Sequence, residues 1–140
     1  MYQDLLLATD GSEGARRATE HAIELTRQLE ATLHVMSVAE EGPHSTEQRD
    51  ELRADAEGEA REAVEEAARR AEDAGLETTT RVRHGVPQEE VVDVAKTNPI
   101  DAVVVGTVGR SGLDKILLGS VAEEIVRNSP VPVVTVREQE

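Results

Sequence analysis

Two clusters of residues in this chain have the types and spacing that handle a ligand. Gly106, Gly109 and Gly112 stand three apart, and Gly119-Ser120 follows at what reads as a helix start. Glycine accepts positive φ and lets the main chain approach a bound group. A helix start adds unpaired N–H groups and the positive end of a dipole. Such a stretch is suited to holding phosphate. Its spacing matches neither common phosphate signature, having no Gly-x-x-x-x-Gly-Lys-Ser/Thr run and no Gly-x-Gly-x-x-Gly. Glycines so placed could equally serve tight turns and close helix packing. The second cluster is Thr9-Asp10-Gly11-Ser12, where Asp10 can close a turn and cap the helix beyond it.

Other chemistries find little to work with. Phosphoryl transfer needs a positioned nucleophile and charge stabilisation in line with the breaking bond. The glycine stretch has no evident catalytic lysine, metal-ligating pair or general base, and Asp114 and Lys115 read as solvated loop charges. No catalytic residue is assigned. His21, His34, His44 and His84 show no ligand spacing and are expected to be structural or exposed. The absence of cysteine excludes disulfides, thiolate metal ligands and cysteine nucleophiles.

The elements that must position these clusters follow from hydrophobic patterning. Residues 2–9 end in a continuous apolar run, as in a strand covered on both faces. Ser12 can cap the next helix, whose Ala15, Ala18, Ala22, Leu25 and Leu29 recur at helical spacing. Residues 33–38 read as a second strand, followed by a polar loop over 40–45 with Gly42-Pro43. From about 46 to 74 the chain is charged and alanine-rich, with Leu52, Ala56, Ala60, Ala63, Ala67, Ala71 and Ala74 on one face. That stripe lacks the large residues of a coiled-coil seam and suits a helix lying flat on a sheet. Gly75 would end it.

A third strand spans 78–83, and Pro87 opens a helix with Val91, Val94 and Ala95 inward, closed by Asn98-Pro99. The fourth strand, Ala102 to Val105, leads into the glycine loop. A short helix over about 120–127 and a last strand over 130–136 complete the chain. Alternation of strand and helix predicts a parallel sheet with helices on both faces.

Composition narrows the partners. The 140 residues are expected to form one domain. With one tyrosine, no Phe and no Trp, base stacking on aromatic side chains is not open to it, and a net charge of -14 repels a nucleic-acid backbone. Only Lys96 and Lys115 among 15 basic residues are lysines. So acidic a surface suggests a salt-rich, halophilic cytoplasm that screens self-repulsion. No apolar run reaches the roughly 20 residues of a membrane span, and no basic leader precedes the first strand. A soluble, cytoplasmic protein is expected.

The joint pattern, Gly106-x2-Gly109-x9-Gly119-Ser120 together with Thr9-Asp10-Gly11-Ser12, resembles the ATP-binding branch of the universal stress protein family. The likeness also takes in Gly85-Val86-Pro87, Gly119-Ser120-Val121-Ala122-Glu123 and Pro130-Val131-Pro132-Val133-Val134. The resemblance implies a Rossmann-like sheet of five parallel strands in the order 3-2-1-4-5, with ligand at the switch between strands one and four. It also implies that Ala8, Thr9 and Asp10 border adenine and ribose, that Val38 contacts the base, and that Val105 lines the pocket. Gly106 and Gly109 would admit backbone amides to ribose and phosphates. Gly119, Ser120 and Val121 would bind phosphate at the last helix, with Ser120 also its N-cap. Val108 departs from the polar or basic residue frequent before the second glycine; Arg110 could supply positive charge instead.

ATP, or AMP or ADP, with Mg²⁺ or Mn²⁺ carried by the nucleotide, is the implied ligand. The last strand would form a sheet edge, and Val131, Val133, Val134 and Val136 make it apolar beyond Pro130 and Pro132. Such an edge invites pairing, which together with the resemblance implies a homodimer through this strand. The expected function is nucleotide binding in a regulatory or protective stress-response module. Its rivals are a slow ATPase or nucleotide-dependent enzyme, and a dimeric scaffold with an empty site.

Overall fold

The computed structural model describes residues 1–40, 46–107 and 119–137, with side chains for all of these except 46–53. Strands and helices alternate through β1 (Asp4–Ala8), α1 (Glu13–Leu29), β2 (Thr32–Glu40), α2 (Thr46–Asp73) and β3 (Thr78–Gly85). There follow α3 (Pro87–Thr97), β4 (Ala102–Gly106), α4 (Ser120–Asn128) and β5 (Val133–Val136). All five strands run parallel in the order β3-β2-β1-β4-β5. This is the Rossmann-like open sheet, flanked by four helices, that the alternation and the resemblance implied.

Because successive strand side chains point to opposite faces, each strand feeds two cores. Leu5, Leu7, Leu33, Val35 and Val104 pack under α1 and α2, against Ala18, Ala22, Ala67 and Ala71. Leu6, Met36, Val103 and Val105 pack under α3 and α4, against Val91, Val94 and Ile125. Leu5, Leu6 and Leu7 are wholly buried, which is why β1 reads as an uninterrupted apolar run. Among the described residues no helix is long and apolar enough to cross a membrane.

The α1 stripe differs from its expectation at the end. Leu29 is 39% exposed and Leu25 only half-buried, while Thr19 and Thr26 are buried. Each of these hydroxyls donates to the carbonyl one turn back, Thr19 to Ala15 (3.1 Å) and Thr26 to Ala22 (2.6 Å). A threonine satisfied in this way can take a core position. Ala74 is likewise exposed, because α2 stops at Asp73 and Gly75 (φ 83) turns the chain. The Gly75 and Leu76 N–H groups then donate to the Glu72 and Ala71 carbonyls, at 2.9 and 3.1 Å.

β2 and β3 run longer than read, to Glu40 and Gly85, so Glu40 belongs to a strand. β5 begins at Val133, three residues later than expected. Pro130 and Pro132 have no N–H to give a ladder, although the Pro132 carbonyl accepts from Val103 (2.9 Å). The Leu52 side chain, Gly42-Pro43 and His44 lie outside what is described, as does the stretch 108–118 with Asp114 and Lys115.

Candidate functional site

The order of strands reverses growth between β1 and β4, so the chain departs to opposite sides of the sheet after Ala8 and after Gly106. The carboxyl ends of such strands leave a crevice. Here it is a cavity of about 330 Å³, at the lower end of the range for small-molecule sites. Ala8, Thr9 and Asp10 line it from β1, Val38 from β2, and Val105 and Gly106 from β4; Gly119, Ser120 and Val121 line it from α4. The nine candidates among the described residues therefore share one wall. Gly109 and Arg110 lie outside the described residues, as do Val108 and Gly112.

On the β1 side the turn satisfies itself. The Thr9 N–H donates to the Met36 carbonyl at 3.0 Å, holding the end of β1 to β2. Thr9 Oγ1 accepts from the Gly11 N–H (3.1 Å), and Asp10 Oδ1 from the Ser12 N–H (2.9 Å). Gly11 has φ 76, and a Cβ there would also approach Ala63 of α2 to 3.1 Å. Ser12 then caps α1, its Oγ accepting from the Ala15 N–H at 3.3 Å. Asp10 thus does the turn-closing work its position allowed while also lining the cavity.

The β4 side is arranged otherwise. A Cβ on Gly106 would lie 2.9 Å from the Gly14 carbonyl of α1, so close helix packing requires glycine here. Ser120 is not the N-cap. Gly119 is, with φ -66 and ψ 156, and it has no side chain of its own to cap the helix. A residue in that extended conformation needs no glycine for its φ. The Gly119 N–H donates to the Thr107 carbonyl (2.8 Å), and the first helical bond runs from the Glu123 N–H to the Gly119 carbonyl (2.9 Å). The N–H groups of Ser120, Val121 and Ala122 therefore stand ahead of the helical ladder, at the positive end of the dipole and on the cavity wall.

Several lining residues were not legible as such: Thr107, Glu40, Pro87 and Val91. The sequence presents Val91 as core and Pro87 as a helix start, and both also line the cavity. Glu40 follows Val38 at the two-residue step that keeps strand side chains on one face, a signal that needed the true length of β2. Among the described lining residues the charged ones are Asp10 and Glu40, and none is basic.

Titratable groups elsewhere brace the frame. Arg83 pairs with Glu90 (2.9 Å) and Asp93 (2.6 Å), tying β3 to α3 beside the cavity. Hydrogen bonds to Asp93 and then Glu90 raise its pKa above the ordinary guanidinium value. His34 bridges Asp4 (2.8 Å) and Thr79 (2.7 Å), His84 meets Glu57 (2.9 Å), and His21 is exposed. Among the described residues no three His, Cys, Asp or Glu side chains converge as metal ligands.

Comparison with known proteins agrees with this architecture. The model of the universal stress protein family matches residues 1–137. The chain belongs to that family. A universal stress protein of Methanocaldococcus jannaschii is 33% identical over 98% of this chain and 83% of its own length. The universal stress protein UspA of Lactobacillus plantarum superposes with a TM-score of 0.85 at 25% identity, covering 97% of this chain and 98% of that one. A universal stress protein solved in complex with cAMP is 30% identical, with a TM-score of 0.74 and coverage of 96% and 97%. In this universal stress protein the described cavity residues all fall within the matched span.

Proposed function

We propose that this universal stress protein binds an adenine nucleotide in the crevice between β1 and β4, and serves as a regulatory or protective module in a stress response. The observation that carries the reading is the glycine-capped start of α4, whose leading residues line the same cavity as the Asp10 turn. Ala8, Val38, Val91 and Ile125 give that cavity apolar walls for a base. The amides of Ser120 and Val121 offer donors for phosphate, and Asp10 can accept from a ribose hydroxyl. The relative in complex with cAMP lends the reading support from within the family.

ATP is the proposed ligand, with AMP or ADP as lesser-charged forms. Asp10 and Glu40 make the described wall acidic, so a polyphosphate enters best with Mg²⁺ or Mn²⁺ bound to it. Calorimetric titration with ATP, AMP and cAMP at high KCl, with and without Mg²⁺, tests this. Saturable heat from an adenine nucleotide is expected; no heat from any of them leaves the dimeric scaffold standing. ADP release above background would favour the weak ATPase. Mass spectrometry of nucleotide carried through native purification identifies the physiological form.

The same reading includes a homodimer formed through the edge strand β5, where Val133 and Val134 stay half-buried in the single chain. Light scattering that reports a monomer would remove it. The net charge of -14 further supports a halophilic cytoplasm as the setting, and a melting temperature that rises from dilute buffer to molar KCl is the expected sign.

A further inference from the structure

Pro87 and Val91 bring the first half of α3 onto the cavity wall, but the start of this helix has no cap of its own to fix it. Its N-cap, Val86, makes no side-chain hydrogen bond and is 41% exposed. Before it stands Gly85 with φ 135, a backbone conformation open to glycine.

Arg83 supplies the missing hold. It lies on β3 beside Val38, its register partner on β2, and so on the sheet face that α3 covers. Its Nε donates to Glu90 Oε1 at 2.9 Å, and its Nη2 donates to Asp93 Oδ2 at 2.6 Å. Glu90 and Asp93 stand three apart on one face of α3, so a single planar fork grips the helix at two points one turn apart. The second oxygen of Glu90, Oε2, would lie 3.1 Å from a Cβ on Gly85. The same carboxylate therefore abuts the turn that leads into Pro87. Arg83 itself is not one of the residues that line the cavity.

Resting on the nucleotide reading above, we infer that Arg83 is a positioning residue for the base, holding Pro87 and Val91 of α3 at the distance from Val38 that a flat ring fills. Half-exposed ion pairs add little to stability by themselves. Their effect here is on contact: a wall that recedes by about 0.5–1 Å forfeits a quarter to a half of its attraction for what it faces.

Arg83→Met keeps the apolar stem and removes both ion pairs. Its affinity for AMP, titrated calorimetrically at high KCl, is expected to fall about three- to tenfold, and Arg83→Lys should lose less. The deciding readout is a comparison of backgrounds. With Val91→Ala the wall is already trimmed, and adding Arg83→Met should cost less than about twofold. With Ser120→Ala, at the other end of the cavity, the full factor should remain. Unaltered AMP affinity in Arg83→Met overturns the inference. An equal factor in both backgrounds overturns it too, because Arg83 would then act on the fold at large. Should Arg83→Met not fold, Glu90→Gln takes its place in the same comparison, with the same outcomes deciding. Failure of wild-type protein to bind AMP or ATP is a separate result, which removes the nucleotide reading and this inference with it.

Discussion

Two helices begin at the carboxyl ends of neighbouring strands in this molecule, and they begin differently. At α1 the chain meets its own needs: Asp10 holds the Ser12 amide, Ser12 holds the Ala15 amide, and Glu13 sits in the first turn. At α4 the cap is a glycine, which brings no side chain of its own to the leading amides. A good cap is worth about 1 kcal/mol, so α4 forgoes stability that α1 takes. The contrast teaches where a ligand belongs. A helix start whose own cap residue satisfies it is part of the scaffold, while one with a glycine cap beside a cavity suits an anion.

The sharpest way to break this contrast is to give α4 the cap it lacks. Gly119→Asp puts a good capping residue at an extended backbone position and a negative charge where phosphate is expected. Nucleotide affinity should fall by about 100-fold or more, the scale of a lost charged contact plus repulsion. The melting temperature should not drop. Unaltered affinity, measured by titration against wild type, would place the phosphate elsewhere.

The next effect is on stability. Gly106→Ala would bring a methyl to 2.9 Å from the Gly14 carbonyl, and α1 must shift to admit it. A loss of about 2 kcal/mol is expected for such overpacking, read from denaturant midpoints. A neutral result would return Gly106 to the ligand alone.

A pair of serines sharpens the comparison further. Ser12→Ala should cost about 1 kcal/mol of stability, as loss of a cap does, and leave nucleotide affinity within about twofold. Ser120→Ala should do the reverse, sparing stability and weakening binding by about three- to tenfold, the worth of one hydrogen bond. If both serines acted on stability alone, the two helix starts would be alike after all.

What the sequence disclosed, and what it hid, has a physical pattern. Central strands were plain because burial on both faces leaves only apolar residues, as in Leu5 to Leu7 and Val103 to Val105. The end of α1 was misread because counting apolar residues overlooks Thr26, whose hydroxyl is satisfied within its own helix. The start of β5 was misplaced because Pro130 and Pro132 sit in an apolar run that cannot yet form a ladder. At the candidate site, Asp10 and the glycines stood out by type. Glu40, Pro87 and Thr107 did not, since their relevance depends on which strand ends lie side by side. Thr107 in particular carries no signal beyond a polar residue after a valine strand; its place on the cavity wall shows only once the strands are assembled.

The smallest expected effect lies at the opposite end of the sheet, away from the β1–β4 cavity, where a carboxylate again serves main-chain amides. Asp101 Oδ2 accepts from the N–H groups of Gln3 (2.8 Å) and Asp4 (3.0 Å), fastening the start of β1 beside β4. Those bonds, Gln3 first, favour the ionised form and hold the carboxyl below the usual carboxylate range. Its stabilising contribution is therefore fully present above the unfolded pKa, about 3.9, and is lost as pH falls through the lower folded value. Asp101→Ala should melt slightly below wild type at neutral pH, and the gap should close as the medium is acidified past about pH 4. Nucleotide affinity should not follow it. A gap that stayed constant with pH would mean that shape, not charge, makes this contact. A parallel loss of binding would mean that the two ends of the sheet are not separable, and that the division of labour between its satisfied and open termini is too simple.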